Sequence, residues 1–193
     1  MEHARPYRFH SDTDGLEALC RDTKFSRREI QLMYRSFKQV CPSGFVDEDA
    51  FKQIFSQFFP YGNASSYAHY VFKTFDQNRN GAIRFKDFLH CLSLLCRGSP
   101  RDKLRWAFSL YDINGDGCIT KKEMTDIVCS VYALLGRRSH PAVDEKSLRD
   151  HVDRIFLKMD LNKDGVVTID EFMEICTKDE TISKSLSLFD TVL

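Results

Sequence analysis

The stretch DINGDGCITKKE, from Asp112 to Glu123, has oxygen-bearing side chains at positions 1, 3, 5, 9 and 12 and glycine at position 6. Calcium is a hard cation that takes about six to eight oxygen ligands, and a twelve-residue loop of this spacing supplies them around one point. We therefore predict a calcium loop between two helices. Its expected ligands are Asp112, Asn114, Asp116, the carbonyl of Cys118, a water held by Thr120, and both carboxylate oxygens of Glu123.

The stretch DLNKDGVVTIDE, from Asp160 to Glu171, repeats this pattern 48 residues later. In both stretches, Thr at position 9 and Glu at position 12 also form the Thr-x-x-Glu pattern of a helix N-terminal capping box, so these residues have a structural role as well. Two complete copies in one chain predict a pair of EF-hands. The expected ligands of the second stretch are Asp160, Asn162, Asp164, the carbonyl of Val166, a water held by Thr168, and Glu171.

A weaker copy runs from Asp76 to Asp87, and it begins 36 residues before Asp112. We number the copies from the N-terminus, so that this one is loop 2 and the complete ones are loops 3 and 4. Aspartate at position 12 is one methylene shorter than glutamate, which disfavours a two-oxygen grip on calcium and suits octahedral magnesium better. The formal charges of loops 2, 3 and 4 are +1, −1 and −3.

We therefore predict that calcium affinity falls from loop 4 to loop 3 to loop 2. Loop 2 is either a weak calcium or magnesium site or a structural loop without metal. Its candidate ligands are Asp76, Asn78, Asn80 and Asp87.

Loop 1 is a degenerate copy at the start of the chain. Placing Gly44 at position 6 brings Val46 to position 8 and Ala50 to position 12, in register with the other loops. Neither Gln39 at position 1 nor Ala50 supplies a carboxylate, and the proline of Cys41-Pro42-Ser43 fixes φ among the ligand positions. We expect loop 1 to keep the helix-loop-helix shape without metal, and to pair through Val46 with loop 2.

These loops predict an all-α fold of four EF-hands in two paired lobes, with a short β bridge between the loops of each lobe. Ser26-x-x-Glu29 is a capping box that opens the first entering helix, and Gly98-Ser99-Pro100 is the strongest internal break. The expected parts are a variable N-terminal segment (1–25), an N-lobe with loops 1 and 2 (26–97), a linker (98–100), a C-lobe with loops 3 and 4 (101–176) and a C-terminal amphipathic helix (177–193).

Composition is that of an ordinary globular protein, with 42 % hydrophobic and 29 % charged residues in 193. The formal net charge is zero, so no global field attracts nucleic acid or an anionic membrane. The seven cysteines include no C-x-x-C pair, which favours reduced thiols inside the cell. No apolar run approaches the roughly 20 residues of a membrane span. We expect a soluble cytoplasmic protein, with a nuclear location open.

The order of one damaged loop containing Cys41-Pro42-Ser43-Gly44, one poor loop and two complete loops resembles the neuronal calcium sensor family. Within that family, the chain is similar to the potassium-channel-interacting, calsenilin-like branch, which also typically has aspartate at the position of Asp87. The resemblance covers about Leu16 to Leu193 and departs at residues 1–15 and at Arg84. Its further motifs are SQFFP (56–60), YAH (67–69), LYDIN (110–114) and GVVTIDEF (165–172).

The resemblance implies a regulatory subunit of A-type voltage-gated potassium channels. Such a subunit holds the cytoplasmic N-terminal segment of the channel in a hydrophobic groove, changes gating and surface expression, and lies at the plasma membrane through the channel. A homo-oligomer stays open.

The aromatic residues of the N-lobe make a groove plausible, since their surface exceeds what two short helix pairs usually bury. Core packing is the alternative for every one of them. Trp106 and Tyr111 are the strongest individual candidates, because these residue types favour interfaces. The candidate groove residues are Phe51, Ile54, Phe55, Phe58, Phe72, Phe88, Leu92, Trp106 and Tyr111.

The C-terminal segment repeats apolar residues on one helical face. This face consists of Ile182, Leu186, Phe189 and Leu193. It could occupy the groove and yield to a partner.

Two other functions stay open. The basic clusters Arg27-Arg28, Arg97 to Arg105 and Arg137-Arg138 would serve a calcium-released transcriptional repressor, although zero net charge and no DNA-binding motif favour solvated helix faces. A calcium sensor or buffer with another helical target is the second. No enzyme is predicted, since the six histidines have no metal-binding spacing and no nucleophile motif or phosphate-binding loop occurs.

Overall fold

The computed structural model describes residues 13–135, 145–179 and 182, and within them nine helices and four short strands form. The predicted all-α class, with short bridges between loops, is confirmed. None of the helices in these ranges is long and apolar enough to cross a bilayer. The helices are α1 (Thr13–Asp22), α2 (Arg27–Val40), α3 (Glu48–Phe58), α4 (Ser65–Phe75), α5 (Phe85–Arg97), α6 (Pro100–Tyr111), α7 (Lys121–Leu135), α8 (Glu145–Met159) and α9 (Ile169–Lys178). The strands are β1 (Phe45–Asp47), β2 (Ala82–Arg84), β3 (Cys118–Thr120) and β4 (Val166–Thr168).

The loops pair within each lobe through one short antiparallel ladder. β1 pairs with β2, with Val46 opposite Ile83, and β3 pairs with β4, with Ile119 opposite Val167. All four of these side chains are buried. The aliphatic residue at position 8 therefore joins each pair of loops and anchors it in the core. Loop 1 keeps this pairing although it has no carboxylate at position 1 or position 12.

The predicted helix starts and the predicted break occur in the structure. At the start of α2, the Ser26 N–H donates to the Glu29 carboxylate at 2.7 Å, and the Glu29 N–H donates to the Ser26 hydroxyl at 3.4 Å. The helix α5 ends at Arg97, and α6 begins at Pro100 with Ser99 as its N-cap. These local signals fix the register of the helices around the loops.

Ordered packing begins before the predicted boundary at residue 26. Leu16 of α1 and Phe25 are buried in the core, and the Arg97 guanidinium lies 4.5 Å from the centroid of the Phe25 ring. At the other end of the chain, Ile182 is buried in the core. The remaining residues of the predicted C-terminal face lie outside the described residues.

Phenylalanine rings build the N-lobe core. The Phe51 ring contacts those of Phe55, Phe72 and Phe75 at centroid distances of 5.7, 5.6 and 5.9 Å, and Phe75 also contacts Phe88 at 6.3 Å. Offset and edge-to-face contacts of this kind add to the gain from apolar burial. Many of the phenylalanines are therefore core residues, in agreement with the alternative that they serve core packing.

The two lobes touch where the turn before α4 meets the last turn of α7. The Asn63 N–H donates to the Ala133 carbonyl at 2.8 Å. A Cβ added to Gly62 would lie 1.7 Å from the carbonyl oxygen of Leu134, so only glycine permits this approach. The last carbonyls of a helix have no partner inside the helix, and here the N-lobe supplies one.

We predict that Gly62→Ala lowers the free energy of unfolding by about 2 kcal/mol, because the methyl group must displace the α7 backbone. The measurement is denaturant unfolding of the calcium-free protein. Ser66→Ala, at an exposed position in α4, is the matched control and should change stability little. Equal stability of the two variants would contradict the assigned contact.

Candidate metal centres

In loop 3, the Asp112 carboxylate collects the N–H groups of the loop. Its Oδ1 accepts the N–H groups of Gly115 at 2.8 Å and Asp116 at 3.1 Å, and its Oδ2 accepts that of Gly117 at 2.9 Å. Gly117 has φ of +88°, a conformation that favours glycine. The turn therefore wraps around the carboxylate of position 1, where a metal ligand is predicted.

Glu123 closes the other side of loop 3. Its Oε1 accepts the Asn114 N–H at 3.2 Å, and its Oε2 accepts the Thr120 N–H and hydroxyl, each at 2.8 Å. The Asn114 side-chain oxygen accepts the Asp116 N–H at 2.8 Å. Positions 1, 3, 5 and 12 are thus joined by hydrogen bonds through the loop backbone, and Thr120 serves as a helix cap.

Loop 4 repeats this arrangement. The Asp160 carboxylate accepts the N–H groups of Asp164 at 3.1 Å and Gly165 at 3.0 Å. Glu171 accepts the Asn162 N–H at 3.3 Å through Oε1 and the Thr168 N–H at 2.9 Å through Oε2. The Thr168 N–H is the main cause that holds the pKa of Glu171 below its usual range.

The donors of loops 3 and 4 suit calcium. Glu123, Asp160 and Glu171 are buried, and buried carboxylates are costly unless hydrogen bonds or a cation compensate them. Within the described ranges, no three His, Cys, Asp and Glu side chains are assembled as a metal cluster. The loop acids accept backbone N–H groups instead, and the predicted ligand sets also use asparagine side chains and the backbone carbonyls of Cys118 and Val166.

Loop 2 is only partly built. Asp76 is buried and accepts the N–H groups of Asn80 at 3.2 Å and Gly81 at 2.7 Å, as in the complete loops. Asp87 accepts the Arg84 N–H at 3.2 Å, which is the helix-cap contact. Among the described residues, Asp87 makes no hydrogen bond to Asn78, although Glu123 bonds to the corresponding residue of loop 3. The shorter side chain of Asp87 therefore caps α5 without closing the loop.

A lysine side chain of the protein itself lies against loop 1. The Lys38 ammonium donates to the Pro42 carbonyl at 2.5 Å and lies 3.5 Å from where a Cβ of Gly44 would be. Lys38 belongs to none of the motifs that the sequence shows. Its position in the last turn of a helix, where lysine favours carbonyl partners, was the available signal.

Four of the predicted groove residues are core in this structure: Phe55, Phe72, Trp106 and Tyr111. Tyr111 is 1 % exposed and packs against Phe172 inside the C-lobe. Trp106 is buried at the lobe junction, where its indole N–H donates to the Thr74 hydroxyl at 3.1 Å. Trp106 and Tyr111 are therefore core residues of this structure, although Trp106 also lines the cavity between the lobes, and their part in a partner groove stays a prediction.

The other five candidates have accessible surface. Phe51, Ile54, Phe88 and Leu92 are half-buried against the core, and Phe58 is 73 % exposed. They lie on α3 and α5, the exit helices of loops 1 and 2.

Comparison with known proteins agrees with this geometry. A family model described as an EF-hand domain pair matches residues 101–177, and a second model of the same description matches residues 62–93. Residues 101–177 and 62–93 therefore match EF-hand pairs, which supports placing the protein in the calcium-binding EF-hand class. Proteins of this class are typically non-enzymatic regulators.

We predict that Glu123→Gln and Glu171→Gln each weaken calcium binding by about tenfold or more at their own loop, because each removes a charged, two-oxygen ligand. Calorimetric titration with calcium measures this. Glu174→Gln, an exposed α9 residue outside the loop, is the control and should bind as the wild type does. Unchanged binding in both loop variants would contradict the ligand assignment.

We further predict that Asp87→Glu raises the affinity of loop 2 for calcium by about tenfold, since the added methylene lets position 12 reach across the loop. The same titration would show a stronger additional binding event. Asp102→Glu is the matched control, because Asp102 makes the same helix-cap contact, at 3.1 Å to the Ser99 N–H, without a metal loop. If the calcium affinity of loop 2 in Asp87→Glu is no higher than in Asp102→Glu, the side-chain length of residue 87 does not limit the site.

Proposed function

We propose that this protein is a calcium-sensing, non-catalytic regulatory subunit of A-type voltage-gated potassium channels. It binds the cytoplasmic N-terminal segment of the channel in a hydrophobic groove and changes gating and surface expression. The resemblance carried by Cys41-Pro42-Ser43-Gly44 and by the SQFFP and YAH motifs supports the choice of target. The proposal assigns calcium to loops 3 and 4, and weak calcium or magnesium to loop 2. It places the protein in the cytoplasm, peripheral to the plasma membrane through the channel.

One observation carries the proposal: two apolar helix faces in the N-lobe are left incompletely buried and converge on one ring. Phe51 of α3 and Phe88 of α5 both contact Phe75, at 5.9 and 6.3 Å. Ile54 and Phe58 continue the α3 face at helical spacing, and Leu92 continues the α5 face. A channel segment that forms an amphipathic helix would bury such faces by the helix-in-groove mode.

The same helices link the groove to the loops. The helix α3 begins directly after β1, and α5 begins directly after β2, so both groove faces start at the loop 1 and loop 2 pair. Loops 3 and 4 connect to this lobe through the contact of α4 with α6 and α7. Sensor EF-hands respond to calcium by changing the angle between their helices, whereas buffer EF-hands barely open. A rise in hydrophobic-dye binding with calcium would favour the sensor over the buffer.

A DNA-binding repressor is the less favoured alternative, and the structure gives one of its basic residues another use. Arg97 forms an ion pair with Glu29 and donates to the Lys24 carbonyl, so its guanidinium stabilises the N-lobe. Arg137-Arg138 lies outside the described residues. Homo-oligomer formation and a nuclear location stay predictions.

We predict that the N-terminal peptide of an A-type channel binds this protein, measured by calorimetry once in calcium and once in chelator with magnesium. Phe58→Asp should weaken binding by about tenfold or more, because it places a charge in the groove. Leu157→Asp is the matched control, since Leu157 is 75 % exposed on α8 in the other lobe.

Binding in either buffer supports the proposal, and the difference between buffers shows whether calcium controls assembly. Absence of binding in both buffers would contradict the channel assignment and leave the calcium sites standing. Equal loss of affinity in Phe58→Asp and Leu157→Asp would contradict the position of the groove. Thermal unfolding of both variants checks that the exposed substitutions leave the fold intact.

A further inference from the structure

Arg79 of loop 2 reaches across the lobe junction to loop 3. A Cβ added to Gly115 would lie 2.6 Å from the Arg79 Nη2, which is well inside van der Waals contact. The guanidinium therefore rests against the backbone of loop 3 at its position 4. Arg79 is itself at position 4 of loop 2, so equivalent positions of two loops in different lobes meet.

The three position-4 residues show why this contact is specific to loop 3. Arg79, Gly115 and Lys163 all have positive φ, of +50°, +73° and +60°. Loop 4 carries its own cationic side chain at this position, Lys163. Loop 3 has glycine there, and the space that a side chain would take holds the guanidinium from loop 2.

The Arg79 side chain lies in a cavity that residues of both lobes line. Among the described residues, its guanidinium forms no ion pair or hydrogen bond. It lines a cavity of about 920 Å³ between the lobes, together with Asp76 of loop 2 and Asp112 and Asn114 of loop 3. Lys73, Arg105, Glu48 and Asp102 also line this cavity, so its other charges are mixed in sign.

We propose that Arg79 sets the calcium affinity of loop 3 from the opposite lobe. This inference rests on the assignment of calcium to loop 3 made above. A fixed positive charge beside a loop repels a divalent cation that enters it, and in the calcium-free state it offsets the repulsion among the loop acids. Loop 3 should therefore bind calcium more weakly than its own ligands would allow.

The size of the effect follows from Coulomb's law. A unit charge and a divalent ion about 6 to 10 Å apart in water repel each other enough to change affinity by roughly three- to tenfold. Arg79 is exposed, so salt screens this repulsion and the effect should shrink as ionic strength rises.

The test is a calcium titration of the full chain by nuclear magnetic resonance, at low ionic strength. The glycine at position 6 of each loop donates its N–H to the acid at position 1, at 2.9 Å for Gly117 and 3.0 Å for Gly165. The amide resonances of these two glycines report loops 3 and 4 separately. The variants are Arg79→Gln, Arg79→Lys and Arg84→Gln.

Arg79→Gln should move the Gly117 midpoint to roughly three- to tenfold lower calcium and leave that of Gly165 within about twofold. Arg79→Lys should stay close to the wild type, because it keeps the charge. Arg84→Gln removes the same charge from loop 2, but Arg84 lies opposite Phe45 in the β1 and β2 ladder, and it should leave Gly117 unchanged.

A Gly117 midpoint that does not move in Arg79→Gln, or that moves equally in Arg84→Gln, would overturn the proposal. A shift in Arg79→Lys as large as in Arg79→Gln would overturn the electrostatic cause. These outcomes are distinct from failure of the calcium assignment to loop 3, in which Gly117 of the wild type does not respond to calcium. Thermal unfolding in chelator checks that the variants are folded.

Discussion

The structure depends on one constraint: a tight loop between two helices must find acceptors for N–H groups that all point inward. In loops 2, 3 and 4, the aspartate at position 1 accepts these groups, and the same carboxylate is the first predicted metal ligand. Folding and metal binding therefore use the same atoms. Loop 1 has no acid at this position, and the Lys38 ammonium and the Val46 to Ile83 pairing hold its shape instead.

Contacts close in sequence were predictable, whereas contacts between lobes were not. The capping boxes, the break at residues 98–100 and the strand register depend on residues a few positions apart or on the repeat itself. The burial of Trp106 depends on Thr74, 32 residues away, and the approach of Arg79 to Gly115 depends on how two lobes dock. No periodicity in one helix indicates either contact. The packing of α1 was missed because a ten-residue helix has few turns in which to show a pattern.

In loop 2, the side chain at position 12 is one methylene shorter than in loop 3. It keeps the structural role of capping the next helix but not the predicted role in binding metal. Asp87 and Glu123 both cap the helix that follows their loop, through the N–H three residues earlier. Only Glu123 also reaches the N–H at position 3. Loop 2 can therefore hold β1 and β2 together and position the groove helices without binding metal tightly.

The close approach of Gly62 to α7 has a consequence for how the molecule can be divided. EF-hand pairs are often treated as separable modules, and the break at residues 98–100 invites that treatment here. In this chain, the α7 carbonyl of Ala133 obtains its partner from the other half of the molecule. An isolated C-terminal half would leave that carbonyl to water. It would also expose the surface that α4 covers in the intact chain. Isolated fragments would therefore lack the interlobe contact that Gly62 and Asn63 make with α7 in the intact chain.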